Sequence, residues 1–333
     1  MIDWLTAGLD APAVLVTVAR VEGSVPREAG ARMRVEADSF RGTIGGGHLE
    51  HRALDIARTM LRDGAGVGPC LERFPLGPSL GQCCGGVAWL AFEPADAAQL
   101  ALLDARRNED SWRLVALDGA PQWGLFDGAG RLLAGQAGPA FDRAAGTHVL
   151  AEEGGRRWLA DAVPAPRAHL MLFGAGHVGA AIVRALAELP CRVTWVDERE
   201  EAFPADVPAN VTVEATDTPE ALVEKAPRGT TFLVMTHSHA LDLRLSHAIL
   251  SRPEVTQTPD WYGLIGSDTK RRQFEHRLRE RGIPEPRIEA MACPIGLPGI
   301  AGKAPAVIAA SVAAQLLSLW EAAAHPEPSS EPN

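Results

Sequence analysis

Two adjacent cysteines, Cys83 and Cys84, sit between Gly81-Gln82 and Gly85-Gly86. Flanking glycines give access to a thiol, and backbone amides can stabilise a thiolate. Such a thiolate can ligate a soft metal, accept a sulfur atom as a persulfide, or attack an electrophile. The competing reading is two small apolar side chains packed below the strand VAWLAF that follows. A zinc site is not indicated, because no second cysteine pair lies at a suitable spacing.

Two further glycine segments suit anions. Gly45-Gly46-Gly47 precedes His48-Leu49-Glu50 and a helical pattern. Successive glycines before a helix can turn their N–H groups into a concave anion nest that suits a phosphate. The alternative is a plain turn with Glu50 well placed in the first helical turn. The second segment, Gly174-Ala175-Gly176-His177-Val178-Gly179, lies between the apolar run LMLF and the helical AAIVRALAEL. That is the strand, glycine turn and helix of a Rossmann unit, whose helix N-terminus attracts phosphate. The next strand ends at Asp197, where an acidic group suits a ribose hydroxyl.

Three more segments follow apolar strands and so belong at the ligand-binding edge of a parallel sheet. In HSHALD, His237, His239 and Asp242 can contact a polar ligand, hold a metal, or serve local capping. In GSDTK, Ser267 or Asp268 caps the next helix, and Lys270 either reaches an anion or stays solvated. Cys293, in CPIG, either faces the same crevice or packs in the core.

These residues need elements to position them. Alternating and buried patterns give strands at 13–19, 31–37, 70–74 and 87–94, with a helix from about Leu49 to Asp63. Residues 98–166 give a short helix and then several strands separated by Asp-Gly and Gly-Gly turns, which reads as a β meander. The Pro-rich VPAPRA is the clearest boundary. Beyond it strands and helices alternate, which implies a parallel sheet with crossover helices. RIEAMACP is expected as its last strand, and APAVIAASVAAQLLSLW as a closing helix. The expected fold class is α/β. The expected organisation is an N-terminal α/β domain at 1–97, a β-rich extension and linker at 98–166, a Rossmann-like domain at 167–322, and a disordered tail at 323–333.

Composition narrows the function classes. The 333 residues carry 42 acidic against 32 basic side chains, for a net charge of −10. Such a surface repels nucleic acid, and no Lys/Arg stripe with interleaved aromatics is present. Proteins and small ligands are the expected partners. No basic, apolar export signal opens the chain, and no apolar run reads as a membrane span. The five cysteines are expected as reduced thiols in a cytoplasm.

Taken together and in order, GSVPREAGARM, GTIGGGHLE, GQCCGG, LFGAGHVG, VMTHSHALD, YGLIGSDTK and CPIGLPGIAGKAP resemble the XdhC and CoxI family of xanthine dehydrogenase accessory proteins. The resemblance implies a non-catalytic carrier that binds the molybdenum cofactor in its molybdopterin form. Such a carrier holds the cofactor while a cysteine desulfurase adds the terminal sulfido ligand, then inserts it into the apo molybdenum subunit of xanthine dehydrogenase. It further implies contact with cofactor biosynthesis proteins, and a homodimer is expected. Many relatives carry Cys where this chain has His48, so a thiolate role here falls to Cys83, Cys84 or another residue. The implied site joins Gly45–Gly47 or Gly174–Gly179 for the pterin phosphate, Cys84 or Cys83 near molybdenum, and the HSHALD and GLIGSDTK loops around one crevice. The rival reading is an NAD-dependent oxidoreductase using GAGHVG and Asp197. A third is a metal-dependent hydrolase built on His237 and His239.

Overall fold

The computed structural model describes residues 4–5, 11–64, 68–77, 85–152, 154–253 and 260–324. The chain divides into two compact units, Met1–Ala165 and Pro166–Asn333.

The first unit stacks two antiparallel sheets. One contains β1 (Val14–Glu22), β2 (Arg32–Val35), β3 (Phe40–Gly42), β4 (Cys70–Pro75) and β5 (Val87–Pro94) in the order β3-β2-β1-β5-β4. Its apolar alternation places Val16, Met33, Leu90 and Phe92 on one face. There α1 (Gly47–Asp63) lays down Leu49, Ala53, Leu54 and Ala57, spaced three and four residues apart. On the opposite face Ala19 and Ala91 meet Leu117 and Leu159. These small side chains let the second sheet approach closely.

That second sheet contains β6 (Ser111–Ala116), β7 (Trp123–Asp127), β8 (Leu132–Gly135), β9 (His148–Ala151) and β10 (Arg157–Val163). Its order is β8-β7-β6-β10-β9. The meander expected here therefore covers only β6 to β8, and β10 returns to pair with β6. Between the two sheets runs α2 (Ala97–Ala105), capped by Asp96, with Leu100 and Leu103 buried against Leu15 and Leu125.

A buried charge network also ties the sheets together. Asp161 accepts from Arg32 Nε at 3.0 Å and from Arg113 Nη1 at 2.8 Å. Arg113 also donates to Glu93, and its Nε donates to Gln99 at 3.3 Å. Asp161 and Arg113 are fully buried. Burial pushes the Glu93 carboxyl up, and the facing guanidinium of Arg113 pulls it back.

The second unit is a parallel sheet of β11 (Ala168–Phe173), β12 (Cys191–Asp197), β13 (Val211–Ala215), β14 (Thr231–Val234) and β15 (Trp261–Leu264), in the order β13-β12-β11-β14-β15. The strand order reverses between β11 and β14, which is the ligand-binding switch point of such sheets. On one face α3 (His177–Ala185) packs with α8 (Pro305–Ala324) through Ile182, Leu186, Val312 and Leu316. On the other lie α4 (Pro219–Lys225), α5 (His239–Leu250), α6 (Asp268–Glu280) and α7 (Glu285–Glu289), around Phe232, Leu245, Phe274 and Ile288.

Three expectations change. RIEAMACP is not a strand: Pro284 and Pro286 open the short helix α7. Only Ala292 then bridges Gly263, and Pro294, which has no N–H, cannot extend the pairing. The closing helix is also longer and more apolar than read. With 20 residues and a mean hydropathy of 1.5, α8 is long and apolar enough to cross a membrane by length and composition, with 28% of that window buried in the fold. It also reaches Ala324, so the expected tail overlaps the helix, and 325–333 lie outside the described residues.

Candidate functional site

The glycine turn after β11 uses each glycine differently. Gly174 has φ +122°, and a Cβ there would strike the Met235 carbonyl. At Gly179 a Cβ would strike the Gly174 carbonyl, so this glycine lets α3 close onto the strand. Gly176, the N-cap, faces open space within 4 Å. Among the described residues no side chain caps α3, which leaves its first-turn amides available at the positive end of the helix dipole. His177 is exposed beside them. Below the turn, the buried Trp195 indole donates to the Gly174 carbonyl at 3.1 Å.

Asp197 does not present a free carboxylate. One oxygen accepts from the Ala175 amide at 2.7 Å and from Arg199 Nη2 at 3.1 Å. The other accepts from the Arg199 amide at 3.0 Å and its Nε at 2.9 Å. Burial works to raise this carboxyl, but the Arg199 and Ala175 hydrogen bonds outweigh it and hold it below the usual range. The acidic residue expected to meet a ribose thus braces the glycine turn. Phe173, Val196, Asp197, Glu198, Pro219, Thr236, His237, Leu241 and Leu245 line a crevice alongside, with about 10 Å³ of free space. That is room for about one water.

The HSHALD and GSDTK segments meet through one ion pair. Asp242 is fully buried and accepts from the Thr236 amide at 3.0 Å and hydroxyl at 2.7 Å, and from Lys270 Nζ at 2.6 Å. Lys270 also donates to the Ile265 carbonyl at 2.9 Å, and its side chain is 11% exposed. Both groups, expected to meet a ligand, are spent on fixing the β14–α5 and β15–α6 connections. Ser267 accepts from the Lys270 amide at 3.4 Å and caps α6, and Ser238 caps α5. His237 and His239 remain exposed at this edge. No group of three or more His, Cys, Asp or Glu side chains is placed to hold a metal among the described residues.

Cys293 is 2% exposed within the core under α6. Burial pushes its thiol up to about 11, with Lys270 and Arg271 pulling it back only in part. It does not line the edge, and it is a thiol at neutral pH. Cys191 is likewise buried, with its thiol pushed up to about 11 by burial.

In the first unit the triple-glycine segment is a nest, as its spacing suggests. Gly45, Gly46 and Gly47 have φ of +121°, +72° and +64°. The anion in it belongs to the chain. Glu50 Oε2 accepts from the Ile44 amide at 3.1 Å, the Gly46 amide at 3.2 Å and the Thr43 hydroxyl at 2.5 Å. Glu50 is thus an internal ligand of the glycine loop, beyond being a favourable charge in the first helical turn. His48 is exposed on the first turn of α1.

Neighbouring segments crowd this nest. A Cβ on Gly45 would strike Pro26, and Gly86 donates to the Ser24 carbonyl at 3.0 Å. GSVPREAG, TIGGGHLE and Gly85-Gly86 therefore converge at one end of the first sheet. Gln82, Cys83 and Cys84 lie outside the described residues. The sequence reading missed Glu50 as an internal ligand and Arg199 as the partner of Asp197. An acidic residue three positions past a glycine run, and an arginine two past the strand-end aspartate, were the available signals.

Known proteins support the same assignment. A model of the XdhC Rossmann domain matches residues 170–316, and one of the XdhC and CoxI family matches residues 8–75. The uncharacterized protein YqeB of Escherichia coli (strain K12) is 30% identical over 154 residues, covering 46% of this chain and 27% of that protein. The chain thus spans only 27% of the length of that curated relative. A crystal structure described as a xanthine dehydrogenase from Bacillus halodurans superposes with a TM-score of 0.69 at 22% identity, over 98% of this chain and 95% of the other. That likeness speaks for the fold. With both modules matched in order, on the segments whose packing is described above, the chain belongs to the XdhC and CoxI family.

Proposed function

We propose that this chain carries the molybdenum cofactor in its molybdopterin form. In this reading it holds the cofactor while a cysteine desulfurase sulfurates it, and hands it to the apo molybdenum subunit of a xanthine dehydrogenase in the cytoplasm. Membership of a family of accessory proteins supports a part in xanthine dehydrogenase maturation.

The observation that carries the handling of a phosphorylated cargo is the amino end of α3. Gly176 is open, the helix has no side-chain cap, and the first-turn amides have no intrahelical partner. Of the two glycine segments expected to take the pterin phosphate, this one is unfilled by any described residue, whereas Glu50 fills the other. The cargo supplies a soft, dithiolene-bound metal that a thiolate can approach. Cys83 or Cys84 would provide that thiolate, as a transient ligand or a sulfur relay. His177, His237 and His239, all exposed, would contact polar parts of the cargo. The Asp242–Lys270 pair would hold the surrounding loops still. Few direct bonds to the metal suit a carrier that must release what it holds.

The dehydrogenase reading is not favoured. Beside Asp197 the crevice has about 10 Å³ of free space, and both Asp197 oxygens are already engaged by Ala175 and Arg199. The deciding measurement is anaerobic titration of purified cofactor into the wild type and a Cys83→Ala/Cys84→Ala variant. Saturable binding near the micromolar range, about −8 kcal/mol, weakened in the variant, is expected. No binding by the wild type would overturn the carrier reading. Saturable NAD(H) binding with a substrate-dependent change in nicotinamide absorbance would replace it.

A further inference from the structure

At the ends of α5 and α6 remote from the glycine turn lies a groove of about 480 Å³. His247 comes from the last turn of α5, Arg252 follows that helix, Arg281 is the C-cap of α6, and Arg287 belongs to α7. Leu250 and Ile283 give the groove an apolar wall. Among the described residues no Asp or Glu lines it, on a chain whose net charge is −10.

Helix C-termini attract cations on their own account, and that explains two of the arginines. Arg252 pairs with Asp260 at 2.7 Å and donates to the Ala226 carbonyl at 2.8 Å. Arg287 donates to the Ile249 carbonyl at 3.2 Å. Arg281 and His247 are different. Neither side chain has a hydrogen-bond or ion-pair partner among the described residues, and Arg281 is exposed.

We propose that this groove docks a short peptide segment of a partner protein in which acidic and apolar residues alternate. Its carboxylates would meet Arg281 and His247, and an apolar side chain would lie on Leu250 and Ile283. The argument is charge complementarity: a cationic concavity, with no carboxylate among its described lining residues, on an acidic molecule selects an acidic partner. Its volume falls within the range of about 300–1,000 Å³ typical of ligand pockets. The 12 residues of α5 set it roughly 18 Å from the Ser238 end of that helix. A docked peptide therefore leaves the α3 amino end free, and the proposal stands apart from the identity of the cargo.

The test uses the full chain and an acetylated, amidated hexapeptide of alternating glutamate and leucine, followed by calorimetry. A lysine–leucine hexapeptide and inorganic phosphate serve as separate arms. The acidic peptide should bind saturably and lose at least tenfold in affinity in Arg281→Glu, with His247→Ala weaker than wild type. Unchanged thermal midpoints would show that both variants fold. Equal binding of the lysine peptide, no binding of the acidic one, or affinity unchanged in Arg281→Glu would overturn the proposal. So would phosphate displacing the acidic peptide stoichiometrically, because the groove would then be a plain anion site.

Discussion

A carboxylate held by two backbone amides and a hydroxyl fixes the loop that supplies them. Three consecutive glycines with positive φ are entropically costly to order, and the Glu50 bonds offset that cost. Glu50→Ala strands two amides of this loop, so it should destabilise the protein by about 1–3 kcal/mol. Urea unfolding would check this, with Glu50→Gln intermediate because its amide oxygen still accepts. A loss below about 0.5 kcal/mol, the scale of an ordinary surface substitution, would show that the nest stands without its internal anion. Residue types and spacing marked the nest, the Ser267 cap and the glycine turn, because those depend on local backbone geometry. They did not reveal that Asp197 is clamped by Arg199, that Asp242 and Lys270 neutralise each other, or that Cys293 is buried. Each of these depends on what lies across space, and a strand-end position is the same in sequence whether its side chain faces ligand or core.

At the scale of elements, the strand–turn–helix joint between β11 and α3 separates folding from binding. Gly176 has φ −79° and open surroundings, so a Cβ fits there without strain. Gly179 has none of that room. Gly179→Ala should therefore lower the thermal midpoint clearly, whereas Gly176→Ala should leave it within about 0.5 kcal/mol of wild type while weakening binding of a phosphorylated ligand. Midpoints from circular dichroism, paired with ligand titration, would check both halves. Equal destabilisation by the two substitutions would refute the division of roles. Most strands and helices were legible because period-2 and 3.6 patterns are local. The return of β10 to β6 was not, because hairpin turns specify only neighbouring pairs. The helical turn α7 was missed because Ile288 and Met291 read as apolar strand positions while Pro284 and Pro286 had already set helical geometry.

For the whole molecule, the pH dependence of stability has an identifiable contributor. His169 sits on β11 with Nε2 2.9 Å from the Thr194 hydroxyl. Burial, helped by Arg192, lowers its pKa from 6.5 to about 4. The folded chain keeps it neutral while the unfolded chain protonates near 6.5, so the unfolded state binds more protons between those values. Its contribution is therefore present above pH 6.5 and lost as pH falls towards 4. Urea unfolding from pH 7.5 to 4.5 should show wild type losing stability faster than His169→Gln, by up to about 2 kcal/mol once partial exposure is allowed for. Parallel pH curves would remove His169 from that account. The charge network of the first unit has a different consequence, one for modularity. Asp161 and Arg113 come from the second sheet, whereas Arg32 and Glu93 come from the first. Parting the sheets would break the Arg32–Asp161 and Arg113–Glu93 pairs and uncover the apolar contact of Ala19 and Ala91 with Leu117 and Leu159. The five strands from β6 to β10 are thus no transplantable cassette. They and the sheet beneath them must be inherited, lost or recombined together.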